Sequence, residues 1–227
     1  MKFYPAILSD NQAVIEKQLT QTLAMEDIDT IHFDILDGYF ADNLTITPAD
    51  LTRFDFADKQ IDLHLMTYEP LDALYETRDY PDLPVRSVIA QVEKLSYQAT
   101  FLKDAKNENW QAGLALNLFT PLEEINNESW ENLDILLIMG IEAGFQGQKF
   151  NFSALEKVQA AAELVEERQL PVEILVDGGV KLDNIIAIAE AGADSAAIGS
   201  SFWQAADVHA MLDQFQQKVT ESKKNYD

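Results

Sequence analysis

The sequence predicts an α/β protein folded as a single (β/α)8 TIM barrel, and three observations predict it. Short β-branched or apolar runs alternate with longer helical patterns, and no Pro/Gly/Ser-rich linker interrupts them. Eight such runs can be counted, which is the strand number of the barrel. The length, 227 residues, lies in the range that one barrel domain uses.

The runs fall, in order, at residues 3–8, 30–35, 60–65, 86–91, 111–117, 133–139, 172–177 and 194–199. Each is the length of a buried parallel strand, and most are rich in Val, Ile, Leu or Phe. Helical periodicity is clearest over 13–25, 153–168 and 185–191, the last stopping at Gly192 as a helix end should. A further amphipathic pattern over 205–219 carries His209, which is read as a surface or packing residue without a role. The segment 221–227 is charged and is expected to be a frayed tail. One barrel domain is expected to span 1–227, with no switch-point crevice of a doubly wound sheet in view.

Composition narrows the function. The chain has no cysteine, so any metal must bind through histidine and carboxylate, and no thiolate nucleophile exists. Its formal charge of -23 opposes nucleic acid and anionic lipid, and a phosphorylated small molecule would need local donors. No apolar run approaches the roughly 20 residues that cross a bilayer, and Lys2 is followed too soon by Asp10, Asn11 and Gln12 for a signal peptide. A soluble, cytoplasmic protein is expected, with a homo-oligomer left open.

Ionisable residues are costly inside apolar strands, so those that interrupt them carry the information. In Ile31-His32-Phe33-Asp34-Ile35, His32 and Asp34 share one face, about 6.7 Å apart along the strand. Ile61-Asp62-Leu63-His64-Leu65 repeats the arrangement, and Ile174-Leu175-Val176-Asp177 ends the seventh run just before Gly178-Gly179. Taken singly, each of these is more readily a buried, hydrogen-bonded structural group than a ligand. Convergence at one barrel mouth favours a site, and His32, Asp34, His64 and Asp177 suit one divalent ion: zinc, iron(II), manganese or cobalt. Asp37 and Asp62 are read as groups that brace the site or fix its loops.

These residues sit in motifs that resemble the ribulose-phosphate 3-epimerase family, over nearly the whole chain. His32-Phe33-Asp34-Ile35-Leu36-Asp37-Gly38 is similar to the family's His-x-Asp-x-Met-Asp-Gly, with Asn43-Leu44-Thr45-Ile46 following. Asp62-Leu63-His64-Leu65-Met66, Ala115-Leu116-Asn117 with Thr120-Pro121, Gly144-Phe145-Gln146-Gly147-Gln148-Lys149-Phe150, Val176-Asp177-Gly178-Gly179 and Gly199-Ser200 resemble further family segments in the same order.

The resemblance implies a barrel of the ribulose-phosphate-binding type and a metal-dependent 3-epimerase of a phosphorylated ketose. Asp34 and Asp177 would ligate the metal and act as the acid/base pair on opposite faces of the sugar, passing through an enediolate. D-ribulose 5-phosphate is the expected substrate. The alternatives are a hexulose 6-phosphate and, from another class, a noncatalytic sugar-phosphate-binding barrel. Gly147, Gly178, Gly179, Gly199 and Ser200 lie in loops after runs six, seven and eight, where barrels bind phosphate through backbone N–H groups; Gly144 and His64 are also read as substrate contacts. Ala6, Leu36, Met66 and Met139 are expected to line the pocket.

Departures from the family pattern cluster in the pocket and lid. Ala6 stands for a serine, Leu36 for a methionine and Thr47 for a glycine. Gln91 stands for a histidine, Gly140 for a serine or threonine, and the loop carries Ala143 for a proline and Gln146 for a glycine.

Overall fold

A computed structural model describes residues 1–224. Eight strands close into a barrel in chain order: β1 (Lys2–Ile7), β2 (Thr30–Leu36), β3 (Gln60–Met66), β4 (Val85–Gln91), β5 (Gln111–Leu116), β6 (Ile135–Met139), β7 (Glu173–Asp177) and β8 (Ser195–Ile198). Every neighbouring pair is parallel, including β8 back to β1. The helices are α1 (Gln12–Leu23), α2 (Pro48–Leu51), α3 (Pro70–Arg78), α4 (Gln98–Asn107), α5 (Ala154–Arg168), α6 (Ile185–Glu190), α7 (Ser200–Trp203) and α8 (Val208–Lys224). Between β5 and β6 the crossing is made by 3-10 turns at Leu122–Glu124 and Asn127–Asn132, with Trp130 buried beneath them.

Alternation along each strand divides the buried side chains into two cores. Outward residues such as Ile31, Phe33, Ile35, Leu63 and Val176 pack under the helices. Inward residues including Ala6, Ile89, Ile135, Leu137, Met139, Leu175 and Ala197 fill the barrel. Because both faces are covered, the strands read as nearly continuous apolar runs, and the polar inward positions stand out.

At the strands' amino ends the barrel is closed by a polar layer. Arg86 donates to both oxygens of Asp62, at 2.7 and 2.5 Å, and to the Tyr4 hydroxyl at 3.0 Å. Glu173 accepts from Tyr4 and Ser195, at 2.7 and 2.6 Å, and Ser87 donates to Asp62 at 2.6 Å. Burial alone would raise the Glu173 pKa, but Ser195, Tyr4 and Arg86 outweigh it and hold the carboxyl below its usual range. Asp62 therefore braces this layer and does not support the site at the other end. It shares a face with His64, yet it sits one inward position lower.

Several ends differ from the sequence reading by one to five residues. β6 begins at Ile135, after residue 133, because Leu133 N–H closes the preceding 3-10 turn on Trp130 and Asp134 turns its carboxylate to Ala112 N–H at 2.9 Å. The last helix begins at Val208, after residue 205: Asp207 accepts from His209 and Ala210 N–H, capping the start, and His209 is exposed. The segment expected to fray from residue 221 is helical through Lys224, and residues 225–227 lie outside the described residues. No helix of the described residues is long and apolar enough to cross a membrane.

Candidate active site

Strand alternation aims His32 and Asp34 of β2, His64 of β3 and Asp177 of β7 into the barrel, and register sets their heights. Asp34 pairs laterally with His64, and Met139 with Asp177. Thr45 fixes the end of β2 by accepting from Leu36 N–H at 2.8 Å and donating to the Asp34 carbonyl at 2.7 Å. One potential ligand atom from each of the four residues lies within 4.8 Å of the others, and all four side chains are buried.

His64 Nδ1 faces both carboxylates, 2.9 Å from Asp34 Oδ1 and 3.5 Å from Asp177 Oδ2. Burial favours neutral His64, but the two carboxylates outweigh it and lift its pKa to about 9. Burial likewise opposes ionised Asp34, yet its contacts with His32 and His64 bring its pKa down to about 2. His32 Nε2 is 3.6 Å from Asp34 Oδ1, too long for a hydrogen bond.

These residues fit a divalent cation. His32 is wholly buried, and neither of its ring nitrogens has a hydrogen-bond partner, a costly state for an imidazole that a bound ion would relieve.

The carboxamide of Gln91 holds the far side of His64, 2.9 Å from Nε2, while Gln91 Oε1 has no partner. Turning this amide over offers Oε1 to a proton on Nε2, the tautomer that frees Nδ1 for an ion. The sequence singled out Gln91 only as a substitution. Its contact with His64 depends on strand register.

Above the four residues, at the carboxyl-terminal mouth of the barrel, lies a cavity. Asp34 and Asp177 form part of its wall, with Ala6, Met66, Met139, Gly144, Gly147, Gly178, Gly179, Gly199 and Ser200. Leu36, expected there, is buried beneath the loop that carries Gly144. His64 is wholly buried and does not line the cavity. Phe145 and Gln146 of the lid motif also line the wall, as do Ile141 and Val180, which carried no signal of their own in the sequence.

The loop between β6 and α5 forms the lid, pinned from several sides. Asn43 donates to the Gly144 carbonyl at 2.6 Å, and Ala143 N–H donates to Asn117 Oδ1 at 3.1 Å. Lys157 of α5 donates to the Asn117 and Leu118 carbonyls at 2.7 and 3.0 Å. Asp37 accepts from Tyr39, Phe40 and Tyr68 N–H, tying the loops after β2 and β3 together.

Gly140 explains one departure from the family pattern. A Cβ there would meet the Phe150 ring at 2.3 Å and the Gly178 carbonyl at 2.6 Å, so a serine would force the loop outward. Gly179 has φ +71°, and a Cβ on it would come within 2.7 Å of Phe150 N.

Fold and site together define a (β/α)8 barrel whose carboxyl-terminal mouth carries a buried histidine and aspartate group able to hold a divalent cation. Sequence comparison narrows that class. The chain belongs to the ribulose-phosphate 3 epimerase family, whose pattern matches residues 2–203, and it is an isomerase of the kind that acts on carbohydrates. It is 31% identical over 217 residues to ribulose-phosphate 3-epimerase of Escherichia coli strain K12, covering 95% of this chain and 94% of that protein. Ribulose-phosphate 3-epimerase 1 of Cupriavidus necator is 33% identical over 213 residues, covering 91% and 86%. Among solved structures, a 3-hexulose-6-phosphate synthase from Salmonella typhimurium aligns with TM-score 0.60 and 16% identity, over 98% of this chain and 100% of that one, a likeness of fold. A thiamine phosphate pyrophosphorylase from Pyrococcus furiosus is similar at TM-score 0.60 and 16% identity, over 97% and 96%.

Proposed function

We propose that this protein inverts C3 of D-ribulose 5-phosphate to give D-xylulose 5-phosphate, with Asp34 and Asp177 as the acid/base pair. The observation that carries the reading is the placement of those two carboxylates. They come from strands β2 and β7, both line the floor of one cavity, and both face His64 Nδ1.

One carboxylate takes the C3 proton, and the other, protonated, returns a proton to the opposite face. A proton α to a ketone leaves only if the developing enediolate is stabilised, and a divalent ion held by His32, Asp34, His64 and Asp177 supplies that stabilisation as a Lewis acid. His32 and His64 serve as ligands, and Gln91 orients His64. Met66, Met139 and Ile141 exclude water from the floor, where charge interactions then count for more. Gly147, Gly178, Gly179, Gly199 and Ser200 receive the phosphate through close backbone approach.

The test is solvent deuterium uptake at C3 of D-ribulose 5-phosphate together with metal analysis of the purified protein for zinc, iron, manganese and cobalt. Wild type should exchange C3 and carry about one ion per chain. Asp177→Asn should lower exchange by about 10²–10⁴-fold. Absence of exchange by the metal-loaded protein, on this and other ketose phosphates, would sink the assignment.

A further inference from the structure

The cavity wall contains four side chains with polar atoms: Asp34, Asp177, Gln146 and Ser200. No lysine or arginine lines it, and two of the four are carboxylates that repel an anion. Neutral donors must therefore do the work that cations do elsewhere.

Gln146 is placed for that work. Its residue lies on the exposed lid, yet its carboxamide turns inward to the end of β8. A Cβ added at Gly199 would lie 3.2 Å from Gln146 Nε2, 3.5 Å from its Cδ and 3.9 Å from the Ala6 Cβ. Side chains from the lid and β1 thus converge on the point that Gly199 leaves open. The carboxamide makes no hydrogen bond to another of the described residues, so its donor is free for a ligand.

Two departures from the family pattern meet at this point: Ala6 lacks a hydroxyl, and Gln146 brings a carboxamide. We infer that Gln146 is a specificity-determining residue that donates Nε2–H to an oxygen of the ligand's phosphate at Gly199, in the space that Ala6 and Gly199 leave free. The inference rests on the reading of the ligand as a ketose phosphate. It also bears on chain length, because the lid side chain occupies room at the phosphate end and so favours a pentulose over a hexulose phosphate.

The experiment titrates inorganic phosphate into the full-length, metal-loaded protein by calorimetry, and measures kcat and KM for D-ribulose 5-phosphate in parallel. Q146G should weaken phosphate about 10-fold or more and raise KM similarly, with kcat within about threefold; Q146E should weaken phosphate further. Thermal unfolding of both variants should match wild type, since position 146 is exposed. A6S combined with Q146G should recover part of the loss, and Q146G should raise hexulose 6-phosphate turnover relative to the pentulose. Phosphate binding by Q146E equal to wild type, or none by wild type, overturns the inference. A loss of phosphate binding in Q146E with no C3 exchange by any variant would leave this anion contact standing while refuting the epimerase reading.

Discussion

At the scale of the residue, His64 is where protonation and a bound ion would compete. Its pKa is about 9 in the metal-free fold against an ordinary 6.5, because Asp34 and Asp177 overcome the effect of burial. A raised pKa stabilises the folded state fully below pH 6.5, and the contribution is lost as pH rises through about 9. Asp34 has the opposite sign: lowered from 3.8 to about 2, its contribution is present above pH 3.8 and lost as pH falls through about 2. An ion on His64 Nδ1 must displace the proton that these carboxylates retain. Binding of zinc to the metal-free protein should therefore release about one proton per ion at pH 7, and its affinity should rise about tenfold per pH unit between pH 6 and 8. Calorimetric titrations in buffers of different ionisation enthalpy measure this directly. Zero proton release would mean that His64 is already neutral.

Gly140 and Gln91 teach a different lesson at this scale. Both looked like losses of a useful side chain when set against the family pattern. With neighbours in place, Gly140 is the residue that Phe150 and Gly178 permit, and Gln91 keeps a polar contact on His64. A substitution can be read only with its neighbours.

At the scale of the element, the lid between β6 and α5 is held by single hydrogen bonds to distant loops. Asn43 reaches Gly144 from the β2 loop, and Asn117 receives Ala143 at the end of β5. Each bond contributes about 0.5–1.5 kcal/mol. Asn43→Ala should therefore raise KM for the ketose phosphate about 2- to 10-fold with little change in the unfolding midpoint, checked by steady-state kinetics beside thermal unfolding. An unchanged KM would show that Gly144 keeps its place without this bond. The spacing of neither asparagine announces this contact, since each partner lies in another βα unit.

At the scale of the whole molecule, the barrel is polar at both ends and apolar in the middle. The amino-terminal layer joins Tyr4, Asp62, Arg86, Glu173 and Ser195, drawn from five strands. Asp62 has no exposed surface, and its carboxylate is held by Arg86 and Ser87. Arg86→Met should cost about 3–5 kcal/mol in urea unfolding, because it strands a buried carboxylate. The double variant Arg86→Met, Asp62→Leu should recover much of that loss. A single variant as stable as wild type would mean that the layer contributes packing and no electrostatic closure.

The sequence by itself determined the strand count, the parallel α/β class and the faces of His32, Asp34, His64 and Asp177, because a period of two is local to each strand. The family motifs placed the glycine loops in the same way. Tertiary structure decided heights and meetings. Asp62 and His64 share a face, yet register sends one to Arg86 and the other to Asp34. Leu36 was expected to line the pocket and lies buried beneath the loop that carries Gly144, since alternation fixes direction without depth. Asn43 and Asn117 find their partners, and Gln146 its place beside Gly199, only when loops that are remote in sequence gather at one mouth. A closed barrel makes those neighbours, and the sequence pattern of a single strand or loop does not encode them.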